Sequence, residues 1–308
     1  MIPTAFITHP ACPLHDMGAG HPESPQRLGA IKDRLIASGL DGLLQHYEAP
    51  LIHREQLLRV HSKSYVDEIN AKAPLHGLIQ LDPDTSMNPH SLEAARRAAG
   101  AVVFGVDLVM TGKVQNAFCA VRPPGHHALS NRSMGFCIFN NVAVAATHAR
   151  AVYGIKRVAI LDFDVHHGNG TEEIFADEPN VMLCSTFQHP YYPYQGADTE
   201  SDHIINTPLA ANVGGEEFRA AVMRDWIPNV TRFQPDLILI SAGFDAHKED
   251  PLAYLKLTDD DYSWVTAEIV KLANGFSKGR IVSTLEGGYN LDALGRSVTE
   301  HIRVLLDA

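Results

Sequence analysis

The chain has 308 residues, 45% hydrophobic and 20% charged, the make-up of a globular protein with a sizeable core and no bilayer-spanning run. A formal charge of -11 argues against a broad phosphate-binding face, so neither nucleic acid nor a membrane is an expected partner. The cysteines (Cys12, Cys119, Cys137 and Cys184) form no C-x-x-C pair, and Met1 to Ile7 carries no secretion signal, which points to reduced thiols and a cytoplasmic protein.

In chain order, a strand is expected at Ala5 to Thr8, then helices at Ser24 to Ser38 and Ser91 to Thr111. A strand at Ala117 to Val121, a helix at Asn141 to Tyr153, and strands at Val158 to Asp162 and Val181 to Thr186 follow. A helix at Gly215 to Phe233, a strand at Leu237 to Ser241, a helix at Thr258 to Asn274, a strand at Ile281 to Leu285 and a helix at Ala293 to Leu306 complete the series. This alternation is the α/β pattern, and wholly apolar runs such as Leu237 to Ile240 suggest a parallel sheet covered on both faces. Pro74 to Pro89 and Gln188 to Val213 read as long surface loops, of the kind that wall a site. No internal repeat or linker divides the chain, so residues 1–308 are expected to form one domain.

The chemistry gathers where strands end. In Ile160-Leu161-Asp162-Phe163-Asp164-Val165-His166-His167-Gly168, an apolar strand runs into acid and imidazole groups at alternate positions, which extended backbone places on one side. Ligands in parallel sheets bind beyond the carboxyl ends of strands, so Asp164 and His166 are metal-ligand candidates. A strand-end turn capping a helix is the plainer alternative, but closely spaced buried carboxylates need a cation or donors nearby.

Arg122-Pro123-Pro124-Gly125-His126-His127 delivers paired histidines after another strand, suited to proton transfer if each ring is oriented by a partner; taken alone, the pair also reads as exposed loop. Ala242-Gly243-Phe244-Asp245 adds a carboxylate at the same edge, completing two carboxylates and one imidazole with a position left for water or a carbonyl. In Glu286-Gly287-Gly288-Tyr289 the glycines let backbone approach a ligand and the tyrosine hydroxyl can donate to a developing oxyanion, though an ordinary turn has the same composition.

Together these residues resemble the histone deacetylase superfamily, which also contains bacterial acetylpolyamine amidohydrolases and acetoin-utilisation proteins. The landmarks appear in family order across nearly the whole chain: His21 to Arg27, Arg122 to His127, Gly135 to Asn141, Asp162 to Gly170, Gly243 to Asp245 and Gly287 to Tyr289. The resemblance implies an arginase/deacetylase-like fold, with a parallel sheet of about eight strands between helical layers. It implies a zinc ion on Asp164, His166 and Asp245, with Asp162 orienting His126, His127 as general base and acid, and Tyr289 polarising the scissile carbonyl. It further implies Phe136, Tyr192 and Leu252 around an acyl-lysine tunnel with Gly135 at its inner end, and Arg27 along a product exit. A structural potassium ion would contact Asp162, Asp164, His166, Ser185 and Thr186.

Asn169 stands where class I members carry an aspartate partner for the second histidine, and Phe244 replaces their usual alanine, both pointing to class II-like relatives. Asn169 can hydrogen-bond an imidazole but stabilises imidazolium less than a carboxylate does. Polyamine-specific relatives carry a glutamate seven residues after the last metal aspartate; here that position is Leu252, which favours an acylated lysine over a cationic polyamine. Acetylpolyamine remains the first alternative because Glu249 and Asp250 are adjacent. An arginase-like ureohydrolase and a catalytically silent binding module are the remaining readings. The donor types alone accept iron(II) or cobalt as well as zinc, and a homo-oligomer is compatible with the sequence.

Overall fold

The computed structural model describes residues 3–308. Its strands are β1 (Thr4–Thr8), β2 (Gln45–Glu48), β3 (Ile79–Asp82), β4 (Thr85–Met87), β5 (Asn116–Cys119), β6 (Val158–Asp162), β7 (Val181–Gln188), β8 (Ile204–Leu209), β9 (Leu237–Ala242) and β10 (Ile281–Leu285). β3 and β4 pair as an antiparallel hairpin. The others form one eight-stranded sheet in the order β2-β1-β5-β10-β9-β6-β7-β8, with every neighbouring pair parallel.

Helices α1 (Gln26–Ala37), α2 (Arg54–Leu57), α3 (Lys63–Lys72), α4 (Ser91–Met110), α5 (Asn141–Tyr153), α6 (Asn169–Phe175), α7 (Gly215–Ala221), α8 (Ile227–Phe233), α9 (Asp259–Phe276) and α10 (Leu291–Leu306) cover the two faces. The strand period of two divides the core between them. Leu237 and Leu239 of β9 join a core with α4 and α5, while Ile238 and Ile240 join a second core with α1, α9 and α10. A strand apolar at every position is therefore buried on both sides, which is why these runs were continuous in the sequence. This is one domain of the arginase/deacetylase-like class expected from the motifs.

Three expectations need correction. The segment Gln188 to Val213 contains β8, and Pro74 to Pro89 contains the β3–β4 hairpin, so neither is wholly loop. The expected helix from Gly215 to Phe233 is interrupted by a π-turn at Val222–Trp226. The break lies just before Pro228, which lacks the N–H that a continuous helix would donate to Arg224. The edge strand β2 and helices α2, α3 and α6 had no counterpart in the sequence reading; β2 is exposed and polar, and α2 and α6 are only 4 and 7 residues long.

Candidate active site

β5, β10, β9 and β6 are consecutive in the sheet, and the loops leaving their carboxyl ends carry the chemistry. Beyond β6, Asp164 Oδ1 accepts from the His166 N–H (2.8 Å) and lies 3.0 Å from His166 Nδ1. Beyond β9, Asp245 Oδ1 accepts from the Val165 N–H (2.9 Å), and beyond β10 the Gly287 N–H donates to Asp164 Oδ2 (2.8 Å). A side chain at Gly287 would collide with the Asp164 and Asp245 carboxylates, so only glycine allows β10 to close over them.

Asp164, His166 and Asp245 bring one ligand atom each to within 4.8 Å of one another. Asp245 Oδ2 is 3.2 Å from His166 Nδ1 but makes no hydrogen bond of acceptable geometry, leaving a buried carboxylate oxygen without a donor. Burial and the adjacent Asp164 charge raise the Asp245 carboxyl to about 6. Burial opposes charge on His166, yet its hydrogen bond to Asp164 and the attraction of both carboxylates raise it to about 10. A divalent cation at the point where the three groups converge would displace that proton and satisfy the orphaned oxygen, so the donor set fits a metal.

The histidine pair follows β5. His126 Nδ1 lies 2.9 Å from Asp162 Oδ2, and His127 Nδ1 lies 2.8 Å from Asn169 Oδ1. The rings are 4.1 Å apart but their environments differ. Burial disfavours charge on His126, but Asp162 and Asp164 outweigh it and raise it to about 10. His127 is pushed well below the ordinary imidazole value by burial and by the neighbouring imidazoles of His126 and His166. One ring is thus kept charged and the other neutral.

These groups open into a pocket of about 280 Å³ lined by His127, His166 and Tyr289 at depth and by Gly135, Phe136, Tyr191, Tyr192, Tyr194, Leu252 and Asp84 around it. Phe136 and Tyr289 meet edge to face at 6.0 Å, and Tyr192 stands edge-on to His127 at 5.3 Å. Gly135, at φ +57°, lies so close to the His127 ring that a side chain there would overlap it. Arg27 is not at the pocket wall. It is buried behind Tyr289, with its guanidinium 5.1 Å from that ring and its nitrogens donating to the Gly288 (2.7 Å) and Glu286 (2.6 Å) carbonyls. Ser185 lies opposite Asp162 in the β6–β7 register, with its hydroxyl 3.1 Å from His167 Nδ1; Thr186 is buried beside it.

Several residues of this region were missed by the sequence reading. Glu286 accepts from the Gly125 (2.7 Å) and His126 (3.2 Å) N–H groups, and burial raises its carboxyl to about 7. An acid at the end of an apolar strand was the available signal. Asp84 and Thr85, from the β3–β4 hairpin, accept from the Gly135 and Phe136 N–H groups, both at 3.0 Å. Glu23 pairs inside the protein with Arg27, four residues on, and with Arg122, 99 residues away, the second a contact with no local signature.

Residues 21–305 match the histone deacetylase domain model. The chain belongs to the histone deacetylase family. It is 40% identical over 279 residues to a histone deacetylase-like amidohydrolase of Pseudomonas aeruginosa, covering 88% of this chain and 73% of that one. It is 36% identical over 301 residues to the polyamine deacetylase HDAC10 of Mus musculus, covering 92% of this chain and 45% of the longer mouse protein. The crystal structure of the HDA15 HD domain superposes with a TM-score of 0.94 at 37% identity, over 99% of this chain and 88% of that one. As a member of this family the chain is an enzyme, a hydrolase of linear amide C–N bonds. Among the described residues no helix is long and apolar enough to cross a membrane.

Proposed function

We propose that the chain is a zinc-dependent amidohydrolase that removes acetyl or other short acyl groups from acyl-lysine or a related acylated amine, working in the cytoplasm. The observation that carries this reading is the convergence of a metal-competent triad, a charged and a neutral histidine, and a tyrosine on one apolar-walled pocket.

A zinc ion on Asp164, His166 and Asp245 would supply Lewis acidity to a water and to the amide carbonyl, a role iron(II) or cobalt can also fill with these donors. His127 takes the proton from the attacking water at Nε2, because Nδ1 is engaged by Asn169. Its neutral resting state suits it to that step, and the proton it gains is then given to the departing amine nitrogen. His126, kept charged by Asp162, adds positive potential beside the developing oxyanion. The Tyr289 hydroxyl donates to that oxyanion; burial and the nearby Asp245 charge keep its proton in place. Asp162, Asp164, His166, Ser185 and Thr186 are the proposed holders of a structural potassium ion, and the Asp162–Ser185 register supports it. Arg27, behind Tyr289, is the residue proposed for the product path.

An acylated lysine is favoured over a polyamine by the fate of the nearby acids. Glu249 pairs with Arg296 at 3.0 Å, and the Asp250 carboxylate is occupied by backbone N–H groups, so Leu252 faces the pocket without a free carboxylate from either. Asp84 on the pocket wall keeps the acetylpolyamine alternative alive. The test is a hydrolysis panel of acetyl-lysine peptides, longer acyl-lysines and acetylated polyamines on metal-defined protein, with Asp164→Ala as control. Turnover of lysine substrates supports the reading, preference for polyamines transfers it to the alternative, and no turnover of any amide defeats both.

A further inference from the structure

Asp250 lies outside the catalytic groups, yet its one carboxylate ties together two walls of the pocket. Oδ2 accepts from the Tyr289 N–H at 2.7 Å and from the Asn290 N–H at 3.1 Å, while Oδ1 accepts from the Leu252 N–H at 3.0 Å. Asn290 is the N-cap of α10 and Tyr289 the residue before it, so the carboxylate sits at the helix N-terminus, where the dipole favours a negative charge. Asn290 cross-links the same two segments from the other side, donating from its side chain to the Glu249 carbonyl at 3.1 Å while capping α10 through the Ala293 N–H at 3.0 Å.

We propose that Asp250 is a positioning residue for catalysis: it fixes the backbone of Tyr289, and hence the reach of the tyrosine hydroxyl, and couples it to Leu252 so that the oxyanion donor and the substrate-facing wall keep one geometry. The inference rests on the reading of Tyr289 as the oxyanion donor. The reason for a carboxylate at this place is stereochemical. Three N–H groups converge on it from two segments, and a charged acceptor with two oxygens satisfies all three, whereas an amide offers one oxygen and presents an NH₂ to at least one donor. Asp250→Asn keeps the volume and breaks the clamp. A backbone at residue 289 displaced by about an ångström costs on the order of 100-fold in turnover when the donor must meet a developing charge.

The experiment is a double-mutant cycle on zinc-loaded protein with an acetyl-lysine peptide: wild type, Asp250→Asn, Tyr289→Phe and the double variant, each checked for zinc content and thermal midpoint. Asp250→Asn is expected to lower kcat on the order of 100-fold with KM changed by less than about threefold, and to cost less than about threefold once Tyr289 is already phenylalanine. Equal losses in both backgrounds overturn the proposal, because Asp250 would then act independently of the hydroxyl. Near-normal turnover of Asp250→Asn beside a crippled Tyr289→Phe overturns the clamp alone, whereas near-normal turnover of Tyr289→Phe overturns the reading of the site beneath it. Asp250→Ala, which opens space without presenting a donor, runs the same cycle if the asparagine variant does not fold.

Discussion

The rings of Phe163 and Phe244 meet edge to face with centroids 5.9 Å apart, and each residue immediately precedes a carboxylate of the proposed metal site, Asp164 or Asp245. Tyr262 packs on both, at 5.0 Å from Phe244 and 5.9 Å from Phe163, and His301 lies 5.9 Å from each. The loops leaving β6 and β9 thus share an aromatic support. Phe244→Ala is expected to lower stability by about 3–5 kcal/mol through lost burial and the cavity left behind, and to weaken zinc retention because Asp245 loses its footing. Denaturant midpoints and zinc content after dialysis check this; an unchanged midpoint would show that the loop holds itself.

The orphaned Asp245 oxygen, 3.2 Å from His166 Nδ1, makes metal dependence the direct test of the proposed triad. Exhaustive chelation should abolish turnover, and zinc at 100 times its dissociation constant should stabilise the fold by about 2.7 kcal/mol relative to the metal-free protein. Asp245→Asn should lose both effects. Calorimetric or fluorescence melting with and without zinc is the readout. A zinc-insensitive midpoint in the wild type would count against the triad.

Much of this site was legible because its residues end apolar strands. β5, β6, β9 and β10 are buried along their whole length, so the sequence shows where each stops, and a parallel sheet puts all four stops on one edge. β2 and β8 were not legible, because each is an edge strand with exposed polar positions and β8 contains Pro208. The supporting shell was equally hidden. Glu23 with Arg122, Asp84 with Gly135, and Asp250 with Tyr289 are contacts across 99, 51 and 39 residues, and no local pattern reports them.

Glu23 sets an acid limit on stability. Burial works against its charge, but the Arg122 and Arg27 guanidiniums prevail and hold the carboxyl near 2, below the ordinary 4.5. A carboxyl lowered in the folded state contributes stability that is complete above about 4.5 and is lost as pH falls toward 2, here about 3 kcal/mol in all. Urea midpoints should therefore decline between pH 5 and pH 2.5 more steeply in the wild type than in Glu23→Gln. The variant itself should lose about 3–5 kcal/mol at neutral pH, since two buried guanidiniums are left without their counter-ion.

Asn169 gives His127 a neutral acceptor where a carboxylate would stabilise the imidazolium. Asn169→Asp should raise the His127 pKa, so that the acid limb of kcat/KM, which reports loss of the neutral base, moves to higher pH. Activity below neutrality falls as a result. The pH profile of both proteins on one peptide decides it, and an unmoved acid limb would mean that another group governs that limb.

Tyr194 is the clearest case of strain at the pocket mouth. It lines the pocket with φ +61° while the residue is 72% exposed, so the left-handed backbone gains little from packing in the free protein. A bulky residue in that region costs about 1–3 kcal/mol, and glycine there relieves the strain while adding about 0.5–1 kcal/mol of unfolded-state entropy. Tyr194→Gly should thus leave stability unchanged or raise it by up to about 2 kcal/mol. If the aromatic ring is kept for the substrate, the same variant should raise KM for acylated peptides severalfold with kcat held, and the effect should shrink for acetyl-lysine lacking flanking residues. An equal KM change for both substrates would assign the ring to the acyl-lysine itself, and no change for either would leave its strain without a functional return.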